Sequence, residues 1–252
     1  MLLSSGGFRL ITEATWVRKR VMQTLLLLGL VLCSAVLSAS ASITTITFVG
    51  KAVDESGRLQ YTERHDVTYE QGQVVRSRTT YTDADNRVIG DLISEYLPTP
   101  QICSYAFRDL RARYEDGVRV ADDHLLLYKK ESPEAYRETA SLPRQANQIV
   151  GQGFHHFLAL NRESIAQGEI FHVELVLPSR LKQYSFRVRK RRVEGATLHI
   201  RLEIDNWLLR LFAPHVDCEY DLRTGRLLRY EGISNLADPS GSIMKVDITY
   251  TH

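Results

Sequence analysis

Apolar residues recur at every second position through most of this chain, and turn-forming pairs interrupt the alternation at short intervals. Leu59, Tyr61, Val67 and Tyr69 share one parity, as do Phe171, Val173, Leu175 and Leu177. Tyr184, Phe186 and Val188 alternate with Arg187, Arg189 and Arg191. Leu198, Ile200, Leu202 and Ile204 form another such set, followed by Val216, Cys218 and Tyr220 and then by Met244, Val246, Ile248 and Tyr250. A period of two turns one face of a strand toward a core and the other toward water, as antiparallel sheets require. Between the runs stand Ser56-Gly57, Gln71-Gly72, Asp116-Gly117, Glu194-Gly195, Thr224-Gly225 and Ser240-Gly241, with Asp83-Ala84-Asp85-Asn86 in the same role. Each supplies the backbone freedom or side-chain chemistry of a tight turn. In one run the phase switches, from Tyr105 and Phe107 to Leu110, Ala112 and Tyr114, which predicts a bulge.

Helical signals are few. Gln148 to Leu160 is predicted helical, with Ile149, Val150, Phe154, Phe157 and Leu158 as its apolar face. Asn161 is placed to cap a second short helix through Ala166, ended by Gly168. Asp205 to Phe212 fits either a helical turn stopped before Pro214 or a continued strand. The expected fold is mainly β: about six strands, a helical insertion, then about six more. A single curved antiparallel sheet, an incomplete barrel with one or two helices on its concave side, fits this order, and a two-sheet sandwich is the alternative.

The amino-terminal part reads as an address. Val17-Arg18-Lys19-Arg20 is basic, Val21 to Leu37 is apolar, and Ser38-Ala39-Ser40-Ala41 is small. These are the three regions of a secretory signal peptide, so a periplasmic location is expected, or a membrane anchor if the segment stays uncleaved. Leu32 before Cys33 does not suit lipid attachment. Residues 1–16 resemble neither a signal nor a domain. The expected organisation is therefore an extension and signal over residues 1–41 and one β-rich domain over residues 42–252. Four of the 32 basic residues and one of the 30 acidic residues precede Ser42, leaving 28 against 29 in the domain. That near-neutral balance gives no case for nucleic-acid binding. Cys103 and Cys218 remain after cleavage; in an oxidising compartment they are either a disulfide or two buried thiols.

No catalytic or metal motif stands out, and no cofactor is expected. Adjacent histidines such as His155-His156 diverge by about 100° on a helix and do not converge on one metal. Gly151-Gln152-Gly153 lacks the third glycine of a dinucleotide site, and Ser234 lacks the second glycine of a nucleophile elbow. Asp122-Asp123-His124 sits in a turn-like stretch where carboxylates are usually solvated. Arg187, Arg189 and Arg191 form a stripe that is either a solvated outer face or a contact for anionic headgroups at a membrane surface. Phe154, Phe157, Tyr184, Phe186, Trp207 and Phe212 are either the lining of a ligand groove or ordinary core.

Leu177-Pro178-Ser179-Arg180-Leu181, Leu211-Phe212-Ala213-Pro214, Thr224-Gly225-Arg226-Leu227-Leu228-Arg229-Tyr230-Glu231-Gly232 and Ile233-Ser234-Asn235 resemble uncharacterised envelope proteins of Gram-negative bacteria. Those resemble in turn the periplasmic lipoprotein carriers, whose incomplete β-barrel is plugged by helices. The resemblance implies a non-catalytic binding or carrier module for a lipid, acyl chain or lipoprotein. A structural or protein-interaction component of the envelope is the alternative. N-terminal sequencing of the exported protein is expected to read from Ser42; an intact terminus in the membrane fraction would make the segment an anchor.

Overall fold

Fifteen strands hydrogen-bond side by side in one sheet. The computed structural model describes residues 42–97, 99–211, 214–238 and 240–252. The strands are β1 (Ile43–Val53), β2 (Leu59–Glu70), β3 (Gln73–Thr82), β4 (Val88–Tyr96), β5 (Cys103–Asp109), β6 (Tyr114–Val120), β7 (His124–Lys130), β8 (Glu138–Pro143) and β9 (Gln148–Val150). Two helices follow, α1 (Gly153–Leu160) and α2 (Arg162–Gln167). The chain then returns to the sheet with β10 (Phe171–Leu177), β11 (Lys182–Glu194), β12 (Thr197–Ile204), β13 (Val216–Asp221), β14 (Leu227–Ala237) and β15 (Ile243–Thr251). In space the order runs from β8 down to β1, then from β15 down to β9. Every neighbouring pair is antiparallel except β9 with β10. The sheet is thus a long meander joined in its middle by β1 and β15.

The sheet curls so that its two halves share one core. Inward residues Tyr61, Tyr81 and Phe107 from β2, β3 and β5 belong to the same buried cluster as Ile200, Leu202 and Tyr220 from β12 and β13. Asp109 of β5 accepts the Ala237 amide of β14 at 3.0 Å, although these strands lie far apart in the sheet order. The edges β8 and β9 do not pair with each other. A second apolar cluster spans the gap between them: Ile102, Val118, Leu125 and Leu127 on one side, Val150 and Val176 on the other. The Val150 amide donates to the Gln101 carbonyl at 3.0 Å, so the chain before β5 covers the short edge strand. The architecture is an unclosed barrel, and the sandwich alternative falls because a single sheet, with the helices laid against it, surrounds the core.

Several expectations need correction. Nine strands, not six, precede the helices. The phase switch near residue 110 is a hairpin turn between β5 and β6, with Arg113 at φ 56, rather than a bulge. Asp116-Gly117 lies inside β6 and not at a turn. The first three residues of the expected helix, Gln148–Val150, are the strand β9, because β10 offers them a ladder. Gly168 does end α2, at φ 104, but the Asn161 side chain does not cap its start; it donates to the Phe157 carbonyl at 2.8 Å instead. After Trp207 the chain makes a 3₁₀ turn at Leu209–Leu211.

Gly117 shows why a turn-forming residue sits in mid-strand. It pairs with Ala106 on one side and Tyr128 on the other. A methyl group there would stand 2.3 Å from the Tyr105 carbonyl oxygen and 2.6 Å from the Tyr128 hydroxyl. The backbone oxygen has nowhere to go, so the clash is of the overpacking kind, worth about 1–3 kcal/mol. Gly117→Ala is expected to lower stability by that amount in urea unfolding; an unchanged midpoint would mean that β5 and β7 are not packed this closely.

Candidate functional site

The concave face carries a polar cluster where alternation alone would lead one to expect apolar side chains. On β2 the inward positions run Tyr61, Glu63, His65 and Val67, and Glu63 and His65 are buried. On β3 they run Ser77, Thr79 and Tyr81, and on β4 Leu92, Ser94 and Tyr96. Register then sets the rows. Glu63 lies opposite Gly50 and Tyr81; His65 lies opposite Phe48 and Thr79; Ser77 lies opposite Val67 and Ser94.

Gly50 of β1 makes the first contact possible. Its neighbours across the ladder are Glu63 on one side and Tyr250 of β15 on the other. With no side chain between them, the Tyr250 hydroxyl donates to Glu63 Oε1 at 2.6 Å. A Cβ at Gly50 would come within 2.8 Å of both side chains. His65 Nε2 lies 3.0 Å from the same carboxylate oxygen, yet too oblique for a hydrogen bond, so that nitrogen has no hydrogen-bond partner among the described residues. Burial pushes the Glu63 carboxyl up, but His65 and the Tyr250 hydroxyl outweigh it and hold the group below its ordinary value. A carboxylate is thus kept charged inside the barrel, next to an imidazole that stacks on Phe48 at 4.5 Å.

The cluster continues to the helices through Gln152, the residue before α1. Its amide donates to the Thr79 hydroxyl at 2.7 Å, and its carbonyl accepts from Ser77 at 2.5 Å and Ser94 at 3.2 Å. With its proton committed, Ser77 accepts from the Tyr96 hydroxyl at 3.0 Å. Thr79 bonds His65 Nδ1 at 2.9 Å. The next turn adds His155, whose Nδ1 is 2.9 Å from the Tyr220 hydroxyl, and His156, whose ring meets Tyr96 edge-on at 4.7 Å. Burial pushes both histidines down to about 4; the His65 and His156 charges add to this for His155, and Glu63 opposes it.

The order Thr79–His65–Glu63 places a hydroxyl and a carboxylate on the two nitrogens of one imidazole, as nucleophile relays do. Here the hydroxyl is fully buried and already occupied by Gln152. The two surface depressions that stand out do not touch it. One of ≈ 560 Å³ lies among Thr99, Gln101, Asp122, Asp123 and Arg144, and one of ≈ 100 Å³ among Arg191, His199, Asp217 and Arg229. The arrangement clamps the start of α1 to the sheet.

The aromatic residues expected to line a groove do not come together. Phe154 and Phe157 are buried in the main core, with Phe186 packed against it. Tyr184 is partly exposed and Trp207 is 73% exposed. Asn206 causes this: its side-chain oxygen accepts the Leu208 and Leu209 amides at 3.0 and 3.1 Å, which fixes a turn that projects Trp207, Leu208 and Leu209 outward. Phe212 lies outside the described residues. The arginine stripe is on the outer face, where each of its members is paired with a carboxylate. Arg187 and Arg189 both bond Glu203, at 2.7 and 2.8 Å, and Arg191 bonds Asp217 at 3.0 Å. Of the two alternatives for Cys103 and Cys218, the structure has free thiols: both are buried, on β5 and β13, and burial pushes the Cys103 thiol up to about 11.

Glu63, His65, Thr79 and Gln152 were not singled out by sequence, although the signal was present. Glu63 and His65 share the parity of Tyr61 and Val67, so any register that buries those two must bury the acid and the imidazole as well.

No protein-family model matches this chain, and no curated protein matches it. Among solved structures it is similar to a β-barrel-like protein of a domain of unknown function from Brucella abortus, at 8% identity and a TM-score of 0.41, over 84% of this chain and 99% of that one.

Buried hydroxyls that lose their partner cost about 1–3 kcal/mol each. Gln152→Ala takes one hydrogen bond from each of Ser77, Thr79 and Ser94, leaving Ser77 with Tyr96, Thr79 with His65 and Ser94 without a partner among the described residues, and water entering the vacated space offsets part of that. A net loss of about 2–4 kcal/mol is expected in chemical denaturation. A loss below about 0.5 kcal/mol would show that the clamp does not hold the helix.

Proposed function

We propose that this chain is an exported, non-catalytic binding module for an amphiphile: a lipid, a free acyl chain or the acyl group of a lipoprotein. The observation that carries the reading is the way α1 is held. Its apolar residues Phe154, Phe157 and Leu158 merge with Ile200, Leu202, Val173 and Val188 of the concave sheet. Its connection to β3 and β4 is the set of hydrogen bonds from Gln152 and the edge-on contact of His156 with Tyr96. Polar clasps can be exchanged for water when a segment moves, so what opposes displacement of α1 is mainly its apolar packing, which an acyl chain can replace in kind. A curved apolar bed under such a segment is a place where an acyl chain can take the helix's position. The resemblance to helix-plugged periplasmic carriers and the signal-like leader support the same reading.

The alternative, a protein-interaction component of the envelope, is favoured by the unpaired edge of β1. Among the described residues, Ile43–Thr47 bond β2 on one side only, while β15 begins to pair at Val49. Ile43 and Ile46 are exposed there. Such an edge offers free backbone groups to another chain.

Native mass spectrometry of protein purified gently from its own compartment is expected to find a bound amphiphile in the wild type. Phe157→Asp, which puts a charge on the apolar bed, is expected to abolish its retention and lower stability, while His155→Ala is mild. Equal retention by the Phe157→Asp protein overturns the reading, and a wild type carrying no amphiphile favours the alternative.

A further inference from the structure

We propose that α1 is a releasable plug switched by protonation of His155 and His156: acid frees Gly153–Leu160 from the barrel while the sheet stays folded. The inference adds regulation to the amphiphile-binding reading, since the same helix covers the same apolar bed, but the switch needs no ligand to operate.

The helix has little to hold it except its packing. It is eight residues long, with no side-chain cap at its start, no acidic residue in its first turn and no basic residue in its last. A helix of this length is not stable alone in water. It is entered through Gly151 at φ 52, and the helical segment is left through Gly168 at φ 104. The sheet does not depend on it for hydrogen bonds, because the ladders of β1 to β8 and β10 to β15 are continuous without it. Undocking therefore breaks the Gln152 clamp, two histidine contacts and the apolar packing, and nothing else in the ladder.

The histidines are placed to sense protons. His155 faces the Tyr220 hydroxyl from β13 and the Glu63 and His65 pair from β2, with His156 beside it on its own helix. His156 faces Tyr96 from β4, behind which lie Cys103 of β5 and Tyr69 of β2. Glu63 is the one carboxylate in this group, and it is already shared by His65 and Tyr250. A proton on either plug histidine thus meets no free counter-charge among the described residues. Neither residue is fully shut off from solvent, although burial dominates the environment of both rings.

The sign follows from linkage. In the docked plug both imidazoles are pushed down from the ordinary 6.5 to about 4. The released helix binds more protons over that window, so docking weakens as pH falls through it and is unaffected above it. Each histidine contributes up to roughly tenfold per pH unit, on the order of 10²-fold by pH 4.

Hydrogen exchange on the intact folded protein, expressed as protection factors at successive pH values, tests this. Peptides covering residues 151–160 are expected to lose protection between about pH 6.5 and 4.5, while those of β1 to β5 keep theirs. The double variant His155→Gln, His156→Gln, which keeps a polar partner for Tyr220 but cannot titrate, is expected to retain plug protection over the same range. Simultaneous loss of protection in plug and sheet would falsify the proposal, as would an unchanged transition in the folded variant. If the variant does not fold, the order of loss in the wild type decides alone. A protein that binds no amphiphile but still releases α1 in acid refutes the carrier reading and leaves the switch standing.

Discussion

Gln152 joins the helical segment to two strands through one side chain, and the burial of the polar cluster on β2, β3 and β4 depends on it. Ser77, Thr79 and Ser94 all point inward, where an unpaired hydroxyl costs more than a methyl group would gain. The amide has both kinds of partner to offer: its carbonyl takes two hydroxyl protons and its nitrogen supplies Thr79. That leaves Thr79 available to His65, and His65 in turn sets the electrostatics around Glu63. A charged carboxylate at the centre of a β core is tolerable because each neighbour in this relay is itself satisfied. His65 Nε2 is the exception, close to Glu63 but badly aimed. The same Glu63 oxygen accepts the Tyr250 hydroxyl across Gly50.

The chain-level pattern was legible and the pairing was not. Alternation and turn glycines identified most of the strands and the single curved sheet, because those features depend only on local geometry. The bulge expected at residue 110 became a hairpin since Arg113 adopts a positive φ without being glycine. Gln148–Val150 have a helical pattern but lie beside β10, and a parallel ladder outweighed propensity. The candidate site was missed for a related reason. Leu59, Tyr61, Val67 and Tyr69 define a face only if the two polar residues between them are accepted as part of it. Trp207 shows the reverse error, an aromatic residue assigned to the interior by type. The Asn206 cap places it outside, and that cap becomes visible only once the strand is known to end at Ile204.

On the outer face, register turned a stripe of like charge into a neutral lattice. Arg187, Arg189 and Arg201 stand in line across β11 and β12, which would be repulsive in isolation. Glu203 takes two of them and Asp217 takes Arg201 at 2.7 and 2.8 Å. Arg229 on β14 closes the series with Asp247 of β15. Exposed pairs of this kind contribute little stability one by one. Their effect is on pairing specificity: a shift of one residue along β12 would set Arg187 and Arg189 opposite apolar residues, take Glu203 out of their row and turn apolar side chains outward.

Under the proposed amphiphile reading, the filled interior would set a threshold for the ligand. Undocking α1 uncovers Phe154, Phe157 and Leu158, each worth about 1.5–3 kcal/mol of apolar burial, or roughly 5–9 kcal/mol together. An incoming acyl chain recovers about 0.8 kcal/mol for each methylene it buries. On the order of ten buried methylenes are therefore needed before exchange is balanced. Short-chain compounds fall below that threshold whatever their headgroup, and chains of ordinary membrane-lipid length exceed it. Discrimination by chain length then needs no preformed tunnel, because the helix already occupying the site supplies the competition.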